Sequence, residues 1–357
     1  MLRFQSLVIA GALLLSAAPA VGQEEPVRAH FPIPAAPDPT GGTPDEFEGS
    51  SIPDALRSTL EALGAGTGVP DGTGLSWYPR EPVRNQLARM SLMNYQVGLT
   101  APVYTTDADT VFIDGSISAL SAKTNARLPT DRVRFPHALW NIQAGAGYLG
   151  QLSGGWSWGA TLNLGTASDH PFNSLAEATL AAMAFLRKPS GDDNAWLFYI
   201  VSTSNGQLGR NIPVPGVAYE YHTARLTAVV GFPFVTIDYR PIREFQFEMT
   251  YAALTDVFMR LNWHLTDHAR VFGGFVWTNQ AWFRADRKDR RDQFFEYEKR
   301  WEGGFGWKLD RRLDLRLDGG YAFDRFFVEN RGVSFSGRNR VTIAPGPFVS
   351  GQLEVKY

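Results

Sequence analysis

The stretch RRLDLRLDGGYAFDR, residues 311–325, decides the fold. Leu313, Leu315 and Leu317 alternate with Asp314, Arg316 and Asp318, and the alternation runs on through Tyr321 and Phe323. Side chains along a strand point to opposite faces, so one face here is apolar and the other fully charged. A half-buried strand of a soluble antiparallel sheet accounts for this pattern. So does a transmembrane barrel with lipid outside and water inside.

The neighbouring sequence favours the barrel. Phe245, Phe247, Met249 and Tyr251 alternate with Gln246, Glu248 and Thr250, and Met259, Leu261, Trp263 and Leu265 with Arg260, Asn262 and His264. In the next segment Phe295, Tyr297, Trp301, Phe305 and Trp307 oppose Glu296, Glu298, Arg300, Glu302 and Lys308. The last segment sets Val349, Leu353, Val355 and Tyr357 against Ser350, Gln352, Glu354 and Lys356. Connections alternate in length: short turns at 240–243, 266–268 and 310–312, longer polar loops at 284–293 and 329–347. Outer-membrane barrels sort their loops in this way, with short turns on the periplasmic side. On that orientation Tyr239, Trp263, Trp307 and Tyr357 form a periplasmic aromatic girdle. Trp277, Trp282, Phe295, Tyr297, Tyr321 and Phe323 form an external one.

The expected fold is therefore all-β, an antiparallel transmembrane β-barrel of about 12–14 strands. Read as one strand, residues 225–239 give fourteen; bent at Gly231-Phe232-Pro233 they give fifteen. With fourteen, some connections in the first half fall long on the periplasmic side.

The N-terminus MLRFQSLVIAGALLLSAAPAVGQEE has a basic start, a short apolar run and small-x-small cleavage sites near residue 22, the signature of a secretory signal peptide. Residues 23–89 read as a Pro- and Gly-rich periplasmic leader with a short helix near 53–63, and residues 90–357 as the barrel. Cysteine is absent, which excludes disulfides, thiolate nucleophiles and cysteine-ligated metals. A net charge of -2 gives no case for nucleic acid.

VVGFPFVTIDYRP (229–241) and FEYEKRWEGGFGWKLDRRLDLRLDGGYAFDRFFVE (295–329) resemble an uncharacterised family of bacterial outer-membrane β-barrels, a domain of unknown function. The matching features are Gly231-Phe232-Pro233-Phe234, Tyr239-Arg240-Pro241, and Gly319-Gly320-Tyr321-Ala322-Phe323 with Arg325. The resemblance covers the last third of the chain best and implies location and fold, with no activity attached. A terminal aromatic such as Tyr357 also resembles the signal by which the barrel-assembly machinery takes up its clients.

The expected lumen-facing polar residues are Glu248, Arg260, Glu298, Arg300, Glu302, Arg316 and Asp318. Their mixed signs suit a cross-strand network more than a selective filter. Glu220 and His222 share a strand face, a pattern that more often solvates a lumen than binds a metal. The loop RADRKDRRDQ reads as a solvated loop, with lipid phosphate contact as the alternative. No nucleotide-binding motif occurs, and GAGYLG (145–150) reads as close strand packing. The functional expectation is a passive pore or structural component of the outer membrane, in contact with lipid, with no catalytic, cofactor or metal site. The alternatives are a substrate-specific transporter or export channel, and an outer-membrane enzyme.

Overall fold

The computed structural model describes residues 71–355 apart from 192, 207–209, 253–255 and 333. The signal peptide, the short helix near 53–63 and Tyr357 lie outside the described residues. The first strands are β1 (Gly72–Pro82), β2 (Arg89–Thr105), β3 (Asp109–Thr124), β4 (Ala138–Gln151), β5 (Ser157–Ser168) and β6 (Ala178–Pro189). Then follow β7 (Ala195–Thr203), β8 (Val214–His222), β9 (Leu226–Phe232), β10 (Phe234–Ile242), β11 (Phe245–Ala252) and β12 (Asp256–His264). The last are β13 (Ala269–Trp282), β14 (Gln293–Lys308), β15 (Leu313–Asn330), β16 (Arg338–Ile343) and β17 (Gly346–Val355).

Each strand from β1 to β15 pairs antiparallel with the next, and β1 also pairs with β17, so the sheet closes on itself. β15 pairs along one part with β17 and along the other with β16. β16 and β17 thus act as two halves of one wall strand, and the ring has sixteen positions. Closure leaves no free edge, which is what allows strands to cross hydrocarbon.

Sixteen exceeds the expected 12–14 for two identifiable reasons. β1 lies within residues 23–89, so the barrel reaches back at least to Gly72 rather than starting at residue 90. Its Leu75 and Trp77 face outward, and the brevity of this pattern inside a Pro- and Gly-rich region hid it. The second reason is residues 225–239, which form two strands broken at Gly231-Phe232-Pro233, the fifteen-strand reading, rather than one. β9 folds back on β10 with Val230 opposite Val235 and Leu226 opposite Tyr239. Proline cannot donate to a ladder, and here Pro233 occupies the turn itself.

Missing one hairpin inverts the direction of every strand before it. This parity error is why the early connections looked long on the wrong side. In the structure, connections 106–108, 152–156, 190–194, 223–225, 243–244, 265–268 and 309–312 all lie at one end. Connections 125–137, 169–177, 204–213, 283–292 and 331–337 all lie at the other. The short-turn end also carries the start of β1 and the end of β17, the arrangement of a periplasmic face.

The two faces of the wall differ as the alternation requires. Leu99, Ile117, Leu162, Phe198, Val230, Leu261, Phe305 and Leu317 are exposed on the outer face, a continuous apolar belt that a water-soluble sheet could not carry. Tyr239, Trp263, Trp307 and Tyr321 are also exposed there, consistent with a girdle. Trp277 is partly covered by Phe335 (rings stacked at 6.2 Å) and by Lys299. Phe295 and Tyr297 are buried in a small cluster with Phe326 and Val328. Trp282 is a correction. It is 2% exposed and belongs to the interior cluster, because β13 carries it on the same face as Arg270 and Phe272.

Leu317 is 54% exposed, opposite Phe305 of β14 and Gly351 of β17, while the Asp318 side chain is 3% exposed and lies 3.4 Å from Arg316. Leu317→Arg should cost roughly 2–4 kcal/mol in lipid vesicles, and Leu317→Ala much less, because only the charge meets hydrocarbon. Reversible unfolding of the two variants measures the difference; equal costs would place Leu317 away from lipid.

Candidate functional site

The inner wall is built on a repeated local device: a long side chain lying over a glycine of the adjacent strand. On β11 to β17 the register runs Glu248, Arg260, Gly274, Glu302, Gly320, Phe348. Gly274 has no side chain to stand between Arg260 and Glu302, and their charged groups meet at 2.8 Å. Two inward positions toward the short turns, Arg270 lies over Gly306 and reaches Asp314 at 2.9 Å. Elsewhere Phe112 covers Gly147, Asn163 covers Gly145 and Tyr199 covers Gly216. The close packing expected of GAGYLG is of this kind.

All seven expected lumen residues face inward, and the structure joins six of them in ion pairs. Arg300 lies 3.5 Å from Glu298 and 3.1 Å from Glu302, Arg260 meets Glu302, and Arg316 meets Asp318. Glu248 accepts a hydrogen bond from Asn262 at 2.8 Å. The hub of the bank was not legible in sequence. Glu298 accepts from the Tyr78 hydroxyl at 2.7 Å and from Arg325 Nε at 2.9 Å. Arg325 stacks on the Tyr78 ring at 4.3 Å, and Tyr78 stacks on Phe348 at 5.5 Å. Tyr78 was hidden in the leader. Arg325 faces inward only because the pairing of β14 with β15 slips between Tyr297 and Lys299. Burying charges is costly unless each has partners, and this bank supplies them. Glu220 and His222 do not form a site together: Glu220 pairs with Arg187 at 2.6 Å, and His222 Nδ1 lies 2.9 Å from the Thr227 hydroxyl. Among the described residues no three His, Asp or Glu side chains converge to hold a metal ion.

The long-loop mouth is crossed by one segment. β5 and β13 stand eight ring positions apart, on opposite walls. Yet Ser168 and Phe283, at their ends, form a parallel backbone bridge, and Phe283 N donates to Ala167 O at 2.8 Å. The segment making this crossing is 283–292. Ala285 N donates to Asp169 Oδ1 at 2.8 Å, and Arg287 donates to Ala176 O at 2.7 Å and lies 3.4 Å from Glu177. Asn205 from 204–213 donates to Ala281 O at 2.7 Å. Arg284 is 1% exposed and is held by Asp131 (3.3 Å), Glu329 (3.2 Å) and Asp286 (2.8 Å). Beside the lid, Phe135 and Leu128 of 125–137 pack with Trp282 and Phe294, which flank it in sequence, and with Phe327. The loop expected to be solvated at 284–293 is so only in part: Arg284, Arg287 and Asp292 are buried and latch it down, while Asp286, Lys288, Arg290 and Arg291 stay exposed. Its alternating charges, which look like a solubilising pattern, match acids on three other segments, Asp131, Glu177 and Glu329.

No family model and no curated protein matches the chain. Among solved structures it is similar to the β-domain of the Bordetella autotransporter BrkA, at 10% identity over 79% of this chain and 98% of that one, TM-score 0.27. It is also similar to a mutant of the TodX monoaromatic hydrocarbon channel, at 9% identity over 84% and 93%, TM-score 0.34. A third is the ferric enterobactin receptor PfeA of Pseudomonas aeruginosa, at 10% identity over 80% and 60%, TM-score 0.27. Likeness this distant carries no functional argument. The paired ring and its apolar belt are the chain's own grounds for an outer-membrane β-barrel.

Burial by itself would raise the Asp131 carboxyl, but hydrogen bonds from Asn339, Lys288 and Arg284 outweigh it and hold the group well below the usual carboxylate range. A depressed carboxylate stabilises above its unfolded value and loses that contribution only as pH falls through the folded one. Exchange protection of the Phe283 and Ala285 amides should therefore be flat from about pH 5 to 8 on this group's account. Arg284→Ala removes the ion-pair partner of the buried Glu329 carboxylate and one of several partners of Asp131, a cost of about 3–5 kcal/mol. Protection of those two amides should collapse in this variant while the strand amides keep theirs; unchanged lid protection would contradict the latch.

Proposed function

We propose that this chain is a gated outer-membrane conduit, shut at its external mouth by the 283–292 lid, rather than an open passive pore. The observation that carries this reading is the backbone bridge between diametrically opposite strands, Ser168 to Phe283. Circumference supports it. Eight strands suffice for a barrel filled by its own side chains, whereas about sixteen enclose a channel-sized interior that needs a plug to be shut. The lid is held by ion pairs and hydrogen bonds between segments rather than by a strand ladder, so it can leave while the wall stays paired. The bank of mixed charges on β11 to β15 favours passage of polar solutes carrying both signs over a single ion type.

A structural barrel is the second reading, favoured by the apolar side of the interior, where Met183, Phe185, Tyr199, Val201, Val229 and Phe234 pack together. Conductance in planar bilayers separates the two. The gated reading expects little steady current from the whole chain. It expects discrete openings after Arg284→Ala with Arg287→Ala, or after replacement of 284–291 by a Gly/Ser linker. Steady current from the unmodified chain would support the passive pore, and silence from the linker variant would support the structural barrel.

A further inference from the structure

Outside the lumen, at the long-loop end of β1, β2 and β3, lies a cleft of about 480 Å³ lined by Arg80, Leu87, Ala88, Arg89, Lys123, Thr124 and Asn125. Three cations bound it, and all three side chains are exposed. The buried cations of the lid and charge bank, among them Arg260, Arg284, Arg287 and Arg325, have acidic partners, but among the described residues none of these three has one. Arg89 donates only to the Arg80 carbonyl, at 3.1 Å. The nearest acid in sequence, Glu81, turns the other way: it pairs in register with the inward residue Met90 and its side chain lies beside Gly346.

Position gives the cluster its meaning. Arg80 follows Leu75 and Trp77 on β1, Arg89 precedes Met93, Tyr95 and Val97 on β2, and Lys123 follows Ile113 and Ile117 on β3. Those residues, apart from the half-buried Met93, belong to the exposed apolar belt. Register places Pro82 opposite Arg89 and Ser91 opposite Lys123, so the three cations stand together just beyond one edge of the belt. Leu87 is fully exposed beside them. Unpaired cations with an apolar side chain, set at the level where acyl chains meet headgroups, form the recognition surface of an anionic lipid.

We propose that this cleft binds the phosphate of a lipid headgroup in the external leaflet, with Arg80, Arg89 and Lys123 holding the phosphate and Leu87 lying against the acyl region. The site is separate from the lid and does not depend on the gated reading.

The test is thermal unfolding of the full chain in a neutral detergent, titrated with bisphosphorylated lipid A, with its dephosphorylated form, and with inorganic phosphate. The unmodified protein should be stabilised by the first alone. Combined Arg80→Gln, Arg89→Gln and Lys123→Gln should weaken the response on the order of a hundredfold, since each surface cation contributes roughly fivefold. The matched triple change at the opposite end, Arg243→Gln, Arg311→Gln and Arg312→Gln, should leave it intact. Leu87→Ser should weaken it without abolishing selectivity for phosphate. Folding of each variant is checked by its heat-modifiable gel migration. Equal response of both triple variants, or of both lipid forms, overturns the assignment. Inorganic phosphate acting as strongly as the lipid would make this a free-anion site and overturns it as well.

Discussion

Sixteen strands hydrogen-bonded into a ring enclose more space than inward side chains fill unless something reaches across. Backbone pairing fixes the circumference, and the outer apolar belt is the direct consequence of crossing lipid. What happens inside is left to sequence. This chain answers with two devices: glycines that let long side chains lie flat on the wall, and a lid that joins β5 to β13 over the mouth.

The two devices are linked by charge. Each buried carboxylate and guanidinium must find partners in a region where water is scarce, and the register delivers them across glycine gaps. The lid uses the same chemistry between loops. Arg284 draws together Asp131 and Glu329, which lie far apart in sequence. Its loss would leave acids of three segments facing one another, so the latch is cooperative. A wall of continuous ladders beside a lid of side-chain contacts places the lowest local stability at the mouth.

The outer face and the direction of the last strands were legible because alternation is a local signal: Leu317 and Asp318 take the faces that the pattern assigns them. The same signal failed where it was short or interrupted. β1 offered only Leu75 and Trp77 as clear outward residues, and the turn at Pro233 left no polar linker to mark it. Trp282 was misassigned because distance from the strand end was read without its face. The inward residues Glu248, Arg260 and Glu302 were found, but their hub was not, since Tyr78 lay outside the recognised strands and Arg325 depends on a slip in register. The lid was illegible for a more general reason. Charges that satisfy distant loops look the same in sequence as charges that meet water.

The crossing of the mouth is the central claim, and a cysteine pair tests it most directly because the native chain contains no cysteine. Ser168→Cys with Phe283→Cys places the two thiols on the bridged positions. In folded, membrane-inserted protein, mild oxidation should link them rapidly, and the link should be absent from either single variant. Failure of the pair to link in a barrel shown to be folded would mean that β5 and β13 do not meet, and that the mouth is open.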